Sequence, residues 1–261
     1  MNILDKIIAQ KRIEVAESKT KVSLEQLMSN PLFSRTCFSL KENIEDKNKT
    51  GIIAEFKRAS PSKGVINNKS DVKTVVKGYQ DAGASAISVL TDEQFFKGSL
   101  SDLKEAREVL EIPLLRKEFI IDTYQIAEAK AYGADIILLI AACLTSEQIE
   151  ELATYAKSLG LNVLLEIHNE TELSTNLHDN IDAIGVNNRN LKDFIVDLNH
   201  SYNLAKKIPE RYIKVSESGI SDPKTINELK KAGYQGFLIG ENFMKTENPS
   251  NEIANFVTHL K

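Results

Sequence analysis

Residues 135–167 read DIILLIAACLTSEQIEELATYAKSLGLNVLLEI, and this stretch decides the fold. Two short runs that are almost entirely Ile, Leu and Val flank a polar-interrupted segment of helical length. Near-continuous apolar runs are expected of parallel strands covered on both faces. Thr145 with Gln148 has the spacing of a capping box that opens the intervening helix. Gly160 sits where a left-handed turn would return the chain to the next strand. The stretch is a β–α–β unit, and its strands must be parallel because the crossover is a helix.

The same pattern extends in both directions. Strands are expected at Ile52–Lys57, Ala86–Leu90, Pro113–Lys117, Asp135–Ala141, Asn162–Ile167, Ala183–Asn187, Tyr212–Glu217 and Gly236–Gly240, recurring roughly every 26 residues. Helix starts are marked by Ser99 with Asp102, Asp122 with Gln125, Thr145 with Gln148, and Asp222 followed by Pro223. Unbroken βα alternation predicts a parallel sheet. Eight units closing on themselves give a TIM barrel, an α/β fold typically of about 250 residues; this chain has 261. An open doubly wound sheet is the alternative, but no GxGxxG follows the first strand. The (β/α)8 barrel is the fold expected.

Residues 1–47 read differently, as an N-terminal helical extension to a barrel spanning 48–261, one domain overall. Ile3, Leu4, Ile7 and Ile8 recur at helical spacing, Ser23 with Gln26 forms a second capping box, and Lys41–Thr50 reads as a polar connector. The net charge of −4 gives no global field for nucleic acid or an anionic membrane, so an anionic ligand would need local positive groups. Cys37 and Cys143 lie in no metal or disulfide spacing. The charged N-terminus lacks a signal-peptide core. No apolar run approaches the ~20 residues of a membrane span. A cytoplasmic, soluble protein is expected.

Chemistry in a barrel belongs to the C-terminal strand ends and the loops after them, and here those ends are polar. Glu55 and Lys57 share a face on the first strand, and Lys117 and Phe119 share one on the third, opposite Arg116 and Glu118. Glu166 ends the fifth. Gly185, Asn187 and Arg189 share a face on the sixth, and Glu217, Ser218 and Gly219 end the seventh. Any one of these is as readily a solvated loop residue as a functional one. Five such ends converging on one mouth point to a site, because clustered charges need ligands or mutual pairing. Gly219 and Gly240, after strands seven and eight, occupy the places from which barrels commonly bind phosphate. His168 opens HNETEL and reads as helix-start packing; His178, His200 and His259 have no metal spacing. The SxxK string from Ser60 to Lys63 lacks the companions of a β-lactamase site.

As an ordered set, IIAEFKRASPSKG, ISVLTDEQFFKGS, PLLRKEFIID, VLLEIHNE, IGVNNRNL, VSESGI and FLIGENFM resemble the indole-3-glycerol-phosphate synthases over residues 51–245, and the helical preamble also fits. The resemblance implies decarboxylative ring closure of 1-(2-carboxyphenylamino)-1-deoxyribulose 5-phosphate, a lyase reaction of tryptophan biosynthesis, with no cofactor or metal. By the same resemblance Lys117 is the general acid and Glu166 the acid/base residue of the dehydration, with Lys57 assisting. Glu55, Asn187 and Glu217 position substrate or the lysines, and Phe96 and Phe119 wall the aromatic ring. Ser60, Pro61, Arg189, Ser218, Gly219, Gly240 and Glu241 surround the anionic groups. Some relatives carry Ser at position 241, where only a backbone contact would survive Glu. Glu55 and Glu166 are expected to hold Lys117 charged. The partner implied is a phosphorylated small molecule, with association to other enzymes of the same biosynthesis also compatible. Another phosphate-binding barrel, such as phosphoribosylanthranilate isomerase or the tryptophan synthase α subunit, would keep the two glycines but has no use for Lys57, Lys117 and Glu166 together. A catalytically silent barrel would have lost the strand-end charges.

Overall fold

In the computed structural model, which describes residues 3–190 and 193–260, eight parallel strands close into a barrel. They are β1 (Ile52–Phe56), β2 (Ala86–Leu90), β3 (Leu114–Lys117), β4 (Ile136–Ile140), β5 (Asn162–Ile167), β6 (Ala183–Asn187), β7 (Ile213–Glu217) and β8 (Gly236–Ile239). The ring closes where β1 pairs with β8 on one side and β2 on the other, Ile53 facing Leu238 and Ala86. The open-sheet alternative is thereby excluded. Each expected strand lies within a residue or two of its observed bounds. Leu191, which ends the NNRNL motif, lies outside the described residues.

Alternation along the strands builds the interior in layers. Ile53, Leu115, Leu138, Leu164, Ala183, Val215 and Leu238 fill the middle of the barrel in one buried cluster. One pleat further on, the same inward faces carry Glu55, Lys117, Glu166, Gly185, Glu217 and Gly240. A larger cluster lies between the strands' outer faces and the surrounding helices.

Among the described residues, three helices precede the barrel: Ile3–Lys21, Leu24–Met28 and Leu40–Glu45. The Ser23–Gln26 capping box forms as expected. The polar connector does not: Ser39 caps a helix over Leu40–Glu45. Its Leu40 and Ile44 are buried in the cluster that fills the barrel interior. Two apolar residues four apart suffice, because a plug needs only one narrow stripe. The plug is fixed at the lower rim, where Leu40 N–H donates to Asn162 Oδ1 at 3.2 Å and Phe38 N–H to Asp135 Oδ1 at 2.8 Å. Asp135 also pairs with Arg35 and Arg107.

The first helix lies at the other end, its Ile3, Leu4 and Ile7 lining the mouth. Its buried stripe is Ile7, Lys11 and Val15, one residue per turn and including a lysine. Lys11 Nζ is 3.0 Å from both Asp92 and Glu118 and 2.6 Å from Glu14. Burial opposes its charge, but these carboxylates outweigh it and raise its pKa.

The helix starts at Ser99, Thr145 and Asp222 are capped by those side chains. Asp122 caps Tyr124 rather than Gln125. Gln125 is drawn instead into the loop after β3, accepting from Ile121 N–H at 2.8 Å and donating to the Phe119 carbonyl at 3.0 Å. No helix among the described residues is long and apolar enough to cross a membrane.

Candidate active site

A cavity of about 660 Å³ opens at the C-terminal ends of the strands. Its lining includes Glu55, Lys57, Ser60, Pro61, Phe96, Lys117, Phe119, Glu166, Asn187, Arg189, Glu217, Ser218, Gly219, Gly240 and Glu241. Every residue expected from the sequence therefore faces one space. The barrel register brings them there: β5 sets Glu166 beside Gly185, and β6 sets Asn187 beside Glu217.

At the centre, Lys117 Nζ lies 2.7 Å from Glu217 Oε2 and 3.0 Å from Glu166 Oε2. Asn187 Nδ2 donates to the other Glu166 oxygen at 2.9 Å. Its own Oδ1 accepts the Arg189 N–H at 3.0 Å, which orients the amide. Glu55 pairs with Lys57 at 2.7 Å and favours the Lys117 cation through its field, while Glu166 and Glu217 make the direct contacts.

The electrostatics follow from crowding buried charges together. Burial disfavours the Lys117 cation, but Glu217, Glu166 and Glu55 outweigh it and hold the pKa above the ordinary lysine value. Burial likewise works against the Glu166 carboxylate; Lys117, His168 and the Asn187 hydrogen bond prevail and lower its pKa. Glu217 moves the other way. Burial, with Glu166 and Glu55 nearby, raises its pKa despite the Lys117 contact. Two carboxylates on one lysine are thus driven apart, one held ionised and the other inclined to keep a proton.

Two glycines make room for this arrangement. A methyl group at Gly185 would run into Glu217 Oε1, and one at Gly240 into the Glu55 carboxylate. Gly240 has a negative φ of −126°, so it is required by close approach rather than by a left-handed turn.

Phe96 and Phe119 stand 6.1 Å apart between ring centroids, tilted by 39°. Lys11 controls both from behind, since Asp92 caps the helix carrying Phe96 and Glu118 accepts the Phe119 N–H at 2.8 Å. At the opposite wall, Glu241 lies between Arg189 (3.4 Å) and Lys63 (3.5 Å). Its carboxylate therefore draws on two cations that line the same cavity as Ser218 and Gly219.

Among the described residues, three non-glycines have left-handed backbone: Lys97, Phe194 and Ser218. Phe194 and Ser218 line the cavity, and Lys97 directly follows Phe96. Backbone held in this region costs roughly 1–3 kcal/mol per residue and tends to collect at functional sites.

Sequence reasoning missed Lys63, Phe194 and the Ile3–Leu4–Ile7 face among the lining residues. Lys63 stands within the SPSKG string and was legible there. The apolar stripe was legible as buried, though not what it would cover. Phe194 carried no signal. His168 packs at a helix start as expected, just before the N-cap Asn169 of the helix Glu170–Thr175; its ring lies 3.3 Å from Glu172 and 3.5 Å from Glu166.

The model of the family described as indole-3-glycerol phosphate synthase matches residues 4–256. A relative of that name from Bacteroides thetaiotaomicron is 49% identical over 260 residues, covering 100% of this chain and 99% of its own. One from Bacillus cereus is 48% identical over 250 residues, 95% of each chain. Among solved structures, a tryptophan synthase complex from Pyrococcus furiosus aligns with TM-score 0.60 at 18% identity, over 81% of this chain and 98% of that one. The 3-hexulose-6-phosphate synthase of Salmonella typhimurium aligns with TM-score 0.62 at 12% identity, over 80% and 99%. These two share the barrel alone. The sequence matches span nearly the whole chain, and on them it belongs to the indole-3-glycerol phosphate synthase family.

Proposed function

We propose that Lys117 and Glu166 are the acid–base pair with which this carboxy-lyase closes an indole ring. The substrate is 1-(2-carboxyphenylamino)-1-deoxyribulose 5-phosphate and the products are indole-3-glycerol phosphate, CO2 and water. Lys117 donates its proton to the ketone oxygen as the carboxylate-bearing ring carbon bonds to the carbonyl carbon. The carboxylate then leaves as CO2. Glu166, ionised, takes a proton from the methylene carbon beside the nitrogen and returns it to the new hydroxyl, which departs as water as the indole carbon–carbon double bond forms. Positioned proton donors of this kind contribute about 10²–10⁴-fold each.

The observation that carries this reading is the position of Lys117, charged between Glu166 and Glu217 and facing the cavity. A lysine so flanked keeps its proton until a more basic oxygen develops beside it. Glu217 holds Lys117 in place. Lys57 with Glu55 supplies a second cation for the substrate's carboxylate side. Phe96 and Phe119 wall the anthranilate ring. Ser60, Pro61, Arg189, Ser218, Gly219, Gly240 and the Glu241 backbone surround the phosphate. A place in the cytoplasm and association with other enzymes of tryptophan biosynthesis belong to the same proposal and rest on the family.

The test is turnover of that ribulose phosphate by purified protein without added metal or nucleotide, followed by indole fluorescence. Product formation lost in Lys117→Ala and Glu166→Gln supports the assignment. Undiminished product from well-folded Lys117→Ala would remove Lys117 from the proton-donor role.

A further inference from the structure

His168 stands two residues beyond Glu166, on the inward parity of β5. Its Nε2 is 3.5 Å from Glu166 Oε1, the oxygen that also accepts from Asn187 at 2.9 Å. That nitrogen is buried and makes no hydrogen bond, so Glu166 is met as a charge contact. On the opposite edge of the ring, Nδ1 lies 3.3 Å from Glu172 Oε2. The same carboxylate oxygen accepts the His168 N–H at 2.8 Å, and the other takes Asn169 Nδ2 at 2.8 Å. Glu172 is therefore fixed by the turn that starts its helix, and the imidazole is held at a set angle behind Glu166. The ring does not line the cavity, so it does not touch what the cavity binds.

We infer that His168, braced by Glu172, is a positioning residue for Glu166, given the reading of Glu166 as the proton-moving carboxylate. A histidine that merely packed the helix start would need Glu172 alone; the contact with Glu166 is additional. Asn187 hydrogen-bonds one carboxylate oxygen, with the His168 ring standing 3.5 Å behind it, while Lys117 holds the other. Glu166 is thereby kept from rotating away as it accepts and returns a proton, and geometric restraint of this kind is where small displacements become costly in rate.

The charged groups acting on the ring are Glu166 from β5, Glu172 from the following helix and Glu217 from β7; the Cys143 thiol after β4 shares the neighbours Glu166 and Glu172. Lys117 lies beyond Glu166, and His200 reaches the His168 carbonyl through Nδ1 at 3.3 Å. Carboxylates dominate this set. Burial works against the imidazolium, but the Glu172 hydrogen bond and the fields of Glu166, Glu172 and Glu217 overcome it and raise the His168 pKa.

The experiment uses the whole chain and two readouts. In the first, kcat and KM are measured for His168→Asn, which keeps a donor toward Glu172 but not toward Glu166, and for His168→Gln, whose amide reaches where Nε2 stood. Expected are a kcat loss of about tenfold for His168→Asn with KM nearly unchanged, and recovery of most of that loss by His168→Gln. In the second, the His168 imidazole is titrated by NMR in the otherwise native chain. Its pKa should lie above the ordinary value of about 6.5 and fall in both Glu166→Gln and Glu172→Gln. An unchanged kcat in folded His168→Asn, or a His168 titration that ignores Glu166→Gln, overturns the inference. Full activity in Glu166→Gln would instead remove the acid–base role on which it rests.

Discussion

Lys117 and Glu217 come from strands on opposite sides of the barrel, 100 residues apart, yet their side chains meet at 2.7 Å across its mouth. Lys117→Met leaves Glu217 and Glu166 facing each other without the cation between them. One of them should take up a proton at neutral pH, since like charges at this distance cannot both ionise freely. Activity should fall by at least about 10²-fold, whereas Lys117→Arg, which keeps the charge but not the compact donor, should restore folding stability more than rate. Steady-state kinetics alongside thermal unfolding separates the two effects. Equal recovery of both by arginine would argue against a proton-donor role.

Lys11 predicts a stability effect. Lys11→Met strands the buried Asp92 and Glu118 carboxylates, and breaking a buried ion pair from one side costs about 3–5 kcal/mol. The loss should show in urea unfolding. KM should rise as well, because those carboxylates set the loops that carry Phe96 and Phe119. A variant as stable as the parent would mean that the two acids are satisfied without the first helix.

Gly185→Ala places a methyl group against Glu217 Oε1. Overpacking of this sort costs roughly 1–3 kcal/mol, and the side chain that must move is one that holds Lys117. Both melting temperature and kcat should fall, with kcat recovering in part when Glu217→Asp is added to shorten the crowded side chain. No change in kcat would show that Glu217 can shift harmlessly.

Glu241 competes with any anion for Lys63 and Arg189. Glu241→Ser should lower KM for the phosphorylated substrate by a few-fold, in keeping with the roughly 1 kcal/mol or less typical of partly exposed pairs. The gain should shrink with added salt. An unaltered or higher KM would place the phosphate away from this carboxylate.

The His168–Glu172 pair carries a pH signature. The folded chain raises the histidine's pKa, so its stabilising contribution is complete below the unfolded value of about 6.5 and disappears as pH rises through the folded value. Glu172 has a lowered pKa, so its own contribution is lost only toward acid. Chemical unfolding of the parent and His168→Asn should therefore show a stability gap that narrows with rising pH above neutrality. A gap independent of pH across that range would mean that the imidazole is not charged in the fold.

The barrel was readable in the chain because its strands are local objects. DIILLI and NVLLEI announce buried parallel strands by composition, and the caps at Ser99, Thr145 and Asp222 are set by hydrogen bonds that reach only a few residues. Period-2 alternation also showed which strand-end residues share a face, so that the set Glu55, Lys117, Glu166, Asn187 and Glu217 could be gathered before any coordinates. What the linear order could not contain was pairing across the ring. That Lys117 meets Glu217 while Glu55 keeps to Lys57, that Gly185 and Gly240 are empty for the sake of carboxylates on neighbouring strands, and that Lys11 of the first helix is buried against Asp92 and Glu118 all depend on barrel closure. Closure fixes the stagger of eight strands at once, and only then do side chains far apart in sequence come within the few ångströms where charge decides their protonation.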